Sequence, residues 1–199
     1  MGAVSVGLPS PDVDFFDRRV TPVMEPLMAY HRHSLAGAEH LPRRGPAIIL
    51  STHSLATYEL FFAFIAIRRQ TGRLVRSLAD NWWWHTLVMG EIFEKSGLVP
   101  ASPTAGRALL DAGELLGISP GGQREALRPS TERHRLSWHG RLGFARLAIL
   151  AQVPLYLAAC PAADGIFTVY RSPFTEWSYR RFAWPLPILR GLGPTLLPR

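Results

Sequence analysis

His53 and Glu59 are a pair whose types and spacing could move a proton. They lie in the stretch Gly45 to Glu59, where the apolar, β-branched run Ala47 to Leu50 reads as a buried strand. Small polar residues and the histidine follow at once, and Glu59 arrives as a new apolar stretch opens at Leu60. Strand, turn, histidine, carboxylate, helix is an order that holds an imidazole at the C-terminal edge of an open α/β sheet, where such sheets place their ligands. A carboxylate reaching one ring nitrogen would fix the tautomer and leave the other nitrogen as a base. A histidine after a strand also serves as plain structure, and both readings stand at this point.

A second group follows another strand-like run, Leu115 to Ile118. It reads Ser119, Pro120, Gly121, Gly122, Gln123, Arg124, Glu125, and then what looks like a helix start. Pro120-Gly121 predicts a type II turn with Gly121 at positive φ. Consecutive glycines let backbone N–H groups approach an anion, and Arg124 could add a two-pronged phosphate contact. Ser119, Gly121, Gly122, Arg124 and Glu125 are therefore candidate binding residues. The alternative is an ordinary strand-to-helix connection with an exposed arginine.

Together these groups resemble the glycerolipid (lysophosphatidic-acid-type) acyltransferase superfamily, from about Gly37 to Cys160. That family carries a histidine and a downstream aspartate after one strand. A Pro-Glu-Gly or Pro-Gly-Gly turn with a nearby arginine follows a later one. Leu41 to Ala47 looks like its lead-in to the first strand, and Val153-Pro154-Leu155-Tyr156-Leu157 like its late strand. Ser119 to Leu127, with Trp138 to Ala145 downstream, is closer to the neutral-lipid branch that includes the type-2 diacylglycerol acyltransferases.

The resemblance implies an O-acyltransferase with no bound cofactor and no metal. His53 would act as general base on the hydroxyl of a glycerolipid (lysophospholipid, mono- or diacylglycerol). That hydroxyl would attack the thioester of acyl-CoA or an acylated carrier protein, without an acyl-enzyme. One position departs from the pattern: the family aspartate falls on Tyr58, so the carboxylate role passes to Glu59. A catalytically degenerate lipid-surface protein of the same fold is the runner-up. Ser54, next to His53, invites a serine hydrolase reading, but adjacent residues seldom align that way and Ser54 is not the centre of a Gly-x-Ser-x-Gly elbow.

The elements that must position these residues alternate. A helical arm near 12–34 precedes a strand at 47–51, a helix at 57–69 and a strand at 74–78. Asp80 and Asn81 read as a helix cap before Trp82, Trp83 and Trp84, with helix to Lys95, a short strand or turn at 97–100, and helix at 104–112. Strand 115–118, the glycine turn, helix 141–151 and strand 154–159 complete the series. Alternation of this kind predicts an α/β fold, a mostly parallel sheet with helices on both faces, preceded by an amphipathic N-terminal helical arm; the resemblance implies that it is of the glycerol-phosphate acyltransferase αβα type. The expected organisation is an arm over 1–36 and an acyltransferase domain over 37–199, shortened at its C-terminal strand and helix.

Composition narrows the partners. At 199 residues with 47% hydrophobic side chains the chain has enough for one domain with a core. A single cysteine, Cys160, excludes a disulfide framework and a cysteine-rich zinc site and reads as a small core residue. His85, His134 and His139 are not at metal-ligand spacing. The net charge of +7 comes almost wholly from arginine and admits a coding bias, nucleic-acid binding or adhesion to anionic lipid. No basic run or recognition motif favours nucleic acid. Two segments mixing aromatics with arginine, 13–33 and 174–192, favour a membrane surface. With no signal pattern and no spanning apolar run, the expectation is a cytoplasmic protein, peripheral on the inner face of the membrane.

Overall fold

The computed structural model describes residues 7–182, 186–193 and 195–199, which divide into two compact units. The first comprises residues up to Ser51, Leu60–Ile118 and Leu142–Leu157. Its centre is a five-stranded sheet in the order β3-β2-β4-β1-β5. The strands are β1 (Ala47–Ser51), β2 (Val75–Ala79), β3 (Leu98–Pro100), β4 (Leu115–Ile118) and β5 (Leu155–Ala158). β1 pairs in parallel with β4, and β2 in parallel with β4 and β3. β5 joins at the edge, where the Ile48 N–H donates to the Pro154 carbonyl at 3.0 Å.

Successive residues of a strand point to opposite faces, so the burial of Ala47, Ile48, Ile49 and Leu50 in a row means that both faces of β1 are covered. That double burial is why the sequence reads as a continuous apolar run. Helix α5 (Pro103–Asp111), capped by Ser102 on the Ala105 N–H, packs closely at Gly106. A Cβ there would meet Leu147 at 3.0 Å and Leu116 at 3.6 Å. Asp80 caps the Trp82 N–H at 2.9 Å, as the sequence predicts. The tryptophans form a 3-10 turn, Asn81–His85, whose Trp83 ring meets Phe93 of α4 (Met89–Lys95).

The arm is helical over α1 (Val13–Phe15), a π turn (Phe16–Val20) and α2 (Thr21–Tyr30). It buries Phe16 and Val20 and leaves Val23 and Tyr30 exposed. Arg68 and Arg69 of α3 (Tyr58–Thr71) pair with Asp17 and Glu25 of the arm, and His33 meets the Phe62 ring. Two arginines, Arg76 buried and Arg73 partly so, act as staples between chain segments. Arg73 donates to the Pro42, Gly45 and Gly113 carbonyls at 2.6–2.8 Å, and Arg76 to the Gly97 and Pro9 carbonyls. Burial lowers the pKa of both, offset in part by Glu114. Part of the positive charge is therefore spent inside the fold.

The second unit comprises Thr52–Glu59, Ser119–Arg141 and the residues from Ala158 onward. It contains α6 (Gly122–Ala126), two 3-10 turns (Ser130–Glu132 and Pro161–Gly165), an antiparallel pair β6 (Thr168–Tyr170) and β7 (Ile188–Arg190), and α8 (Pro173–Phe182). The sequence reading ends its strands at β5, so this last β–α–β stretch is additional. Ser130 ties the unit together by accepting the Val169 N–H at 2.9 Å. Among the described residues no helix is long and apolar enough to cross a membrane.

Candidate functional site

β1 and β4 are neighbours in register, with Leu50 opposite Ile118, so the chain segments that carry His53 and the glycine turn leave the sheet from adjacent points. The His53 Nδ1 lies 2.9 Å from the Ser54 carbonyl oxygen. A carbonyl only accepts, so Nδ1 carries the proton and Nε2 keeps its lone pair. Nε2 takes no partner among the described residues. Burial lowers the His53 pKa; the Ser54 carbonyl opposes this and the Arg128 charge adds to it. The ring is thus a neutral imidazole at neutral pH, tautomer set and one nitrogen free. That is the state a general base requires.

Glu59, buried in the first turn of α3, does not reach that ring. Its Oε1 accepts the Ser54 N–H at 3.0 Å, and its Oε2 is buried with no hydrogen-bond partner. Burial raises its pKa, with hydrogen bonds from Ser54 pulling the other way. The turn before it is tight. Thr57 adopts a φ of +59°, strained for a β-branched residue, and the Tyr58 N–H closes on the Ala56 carbonyl at 2.6 Å. The expectation that Glu59 orients the imidazole directly is therefore corrected: the Ser54 carbonyl holds Nδ1, and Glu59 holds the peptide before it.

The glycine turn also differs from expectation. Gly121 has φ −68° and ψ −30°, so the predicted type II turn with positive φ at Gly121 does not form. The left-handed residue is Gly122, at φ +55°. Gly121 is glycine for another reason: a Cβ there would run into the Glu125 side chain. Glu125 is fully buried and accepts the Ser137 N–H at 3.3 Å. Burial raises its pKa, while the Ser137 N–H, the Arg128 charge and the His53 N–H lower it. Its carboxylate is an internal brace beneath the turn, not an open binding group. Ser119 closes the turn through its carbonyl, which accepts the Gly122 N–H at 3.1 Å. Arg141 caps the Gly121 carbonyl at 3.1 Å.

Arg124 is exposed and lies over the Tyr179 ring, 4.9 Å from its centroid. Arg128, one helical turn on, was not singled out from sequence, yet it is the arginine at His53. Its Nη1 donates to the His53 carbonyl at 3.0 Å and to the Glu125 carbonyl at 2.9 Å. Its Nη2 donates to both oxygens of Asp164. Ser54, Arg128, Ser130, Arg133 and Asp164 line a cavity of about 20 Å³, room for a single water-sized group and not for a substrate. Cys160 is half-buried, and burial pushes its thiol pKa up, away from reactive thiolate. Among the described residues no three His, Cys, Asp or Glu side chains are grouped to hold a metal.

The family model described as Acyltransferase matches residues 32–160, more than half of the chain. The chain belongs to the acyltransferase family. His53, Glu59 and the whole glycine turn fall inside the matched span, whereas Asp164 lies just beyond it. Among curated relatives, a Bos taurus protein named "DGAT1/2-independent enzyme synthesizing storage lipids" is 28% identical over 84% of this chain and 50% of its own length. The Gallus gallus protein of the same name is 32% identical over 83% of this chain and 49% of its own. An uncharacterized Mycobacterium bovis protein is 26% identical over 70% of this chain and 40% of its own. The chain thus spans about half the length of the first relatives it matches. No solved structure gives a significant match.

Proposed function

We propose that this acyltransferase moves a fatty acyl group from a thioester donor, acyl-CoA or acyl carrier protein, to a hydroxyl of a glycerolipid. The observation that carries the reading is the imidazole of His53, with Nδ1 committed to the Ser54 carbonyl and Nε2 without a partner among the described residues. The acceptor hydroxyl gives its proton to Nε2 as its oxygen attacks the thioester carbonyl. The tetrahedral intermediate collapses, the C–S bond breaks, and the imidazolium returns the proton to the departing thiolate. Base catalysis of this kind supplies about 10²–10⁴-fold, and positioning and oxyanion stabilisation supply the rest.

The Gly121–Gly122 backbone and Ser119 are the proposed receptor for the substrate's polar end, with Arg124 the phosphate contact at its exposed margin. The relatives' names speak of storage lipids, which favours a neutral glycerolipid such as mono- or diacylglycerol as acceptor. Acceptors of that kind lie in a bilayer, so the reading includes a peripheral position on the inner membrane face through 13–33 and 174–192. On α8 the exposed ring of Phe174 stacks on Trp177, which meets Phe182 edge to face, a cluster such as an interfacial element would present. Trp184, counted in that segment, lies outside the described residues.

The rival is a catalytically silent lipid-surface protein, and the contact of Glu59 with Ser54 in place of the imidazole speaks for it. The test is incubation of purified protein with isotope-labelled acyl-CoA or acyl carrier protein and a panel of acceptors, read by lipid mass spectrometry. Labelled acylglycerol or phospholipid supports transfer. Vesicle binding with no labelled product from any acceptor supports the rival.

A further inference from the structure

The His53 carbonyl and the Ser54 N–H belong to one peptide unit, and that unit is gripped at both ends. Arg128 Nη1 donates to its oxygen at 3.0 Å, and Glu59 Oε1 accepts from its nitrogen at 3.0 Å. The next carbonyl along, that of Ser54, is the one that receives the imidazole Nδ1–H. Rotation of the gripped peptide would swing that carbonyl off the ring. Arg128 is in turn fixed by Asp164, which also accepts the His134 N–H at 2.8 Å. The two side chains of this ion pair are 8% and 11% exposed, so the pair is largely shielded from bulk solvent and directional.

We propose that Arg128, held by Asp164, is a positioning residue for His53, and that with Glu59 it clamps the His53–Ser54 peptide that aims the imidazole. The proposal rests on the reading of His53 as the base, and it gives Glu59 a purpose that contact with the ring does not supply. It also explains why a carboxylate one methylene longer than aspartate works here: the target is a backbone N–H and not the ring. The charged groups around His53 are Arg128 and, through the backbone, Glu59 and Glu125, with Asp164 behind Arg128.

The experiment uses the whole chain with ¹⁵N-labelled histidine. Long-range ¹H–¹⁵N correlation reads the tautomer of His53, whose signal is identified by its loss in His53→Ala. Two variants test the clamp. Arg128→Lys keeps a cation facing Asp164 but lacks the fork needed to reach the His53 carbonyl as well. Arg128→Gln with Asp164→Asn removes both charges, so neither is left buried alone. The expected result is one Nδ1–H tautomer in the wild type and a mixture in both variants. With it, kcat falls about 10²-fold and KM stays within about twofold, as for a misaimed group that still binds substrate. A single Nδ1–H tautomer retained in both folded variants would overturn the proposal, as would a rise in KM at unchanged kcat. If His53→Ala retains full transfer activity, the base reading fails instead, and the tautomer measurement still decides the clamp.

Discussion

At the residue scale, Gly121 and Gly122 stand side by side for different reasons, and substitution separates them. Asparagine tolerates the left-handed region, so Gly122→Asn is expected to cost no more than about 1 kcal/mol. Gly121→Asn drives a side chain into Glu125 and is expected to cost about 1–3 kcal/mol, read by chemical denaturation. Equal costs would contradict the turn geometry. Protonation gives a second expectation. Burial holds the His53 pKa below the ordinary 6.5, so the acid limb of kcat/KM falls below pH 6.5. The unfolded chain then takes up that proton first, and stability is lost as pH falls through the window beneath 6.5. Glu59 and Glu125, raised above 4.5, act in the opposite sense: their favourable share is present below 4.5 and lost as pH rises through their raised values. A pH–rate profile with its acid limb above 6.5 would contradict the buried neutral imidazole. His53 and the glycine turn were legible because imidazole, glycine and proline carry strong local signals. Arg128 and Asp164 were not: they are 36 residues apart, and the groups they serve are backbone carbonyls and N–H donors, which no residue type announces.

At the element scale, β1 and β4 were legible because burial on both faces writes an unbroken apolar run. β6 and β7 were not, because each has three residues with alternating or mostly exposed positions, too few for periodicity to register. The tendency of Pro-Gly to form a type II turn is not realised: Gly121 is right-handed at φ −68° and lies against the buried Glu125 side chain, four residues downstream. The connections depend on polar staples as much as on apolar packing. Arg73 gathers three carbonyls from the lead-in to β1 and from the turn before β4. Arg73→Met is expected to cost about 2–4 kcal/mol, since it leaves those carbonyls without their charged donor. Arg73→Lys recovers little of it, because an ammonium has no planar fork. The unfolding midpoints of the two variants check this, and a fully restored midpoint in Arg73→Lys would mean that charge alone suffices.

For the whole molecule, charge is used inside the fold as well as on its surface: Arg73, Arg76 and Arg128 are committed to carbonyls and carboxylates, beside the shielded carboxylates of Glu59, Glu125 and Asp164. Membrane adhesion would then lean on the exposed rings of α8 as well as on charge. Salt screens arginine attraction far more than ring insertion, so binding to anionic vesicles is expected to weaken and yet persist at high salt. Trp177→Ser with Phe182→Ser should abolish the persistent part in a flotation assay, and persistence without those rings would move the contact elsewhere. The proposed reaction depends on one imidazole in an acyltransferase fold, that of His53, whose Nε2 has no partner among the described residues. The most direct measurement is the rate of acyl transfer by wild type and His53→Ala under the same conditions, with the unfolding midpoint of each. The account predicts a loss of about 10²–10⁴-fold in kcat with a nearly unchanged midpoint; transfer at the wild-type rate by folded His53→Ala would contradict it.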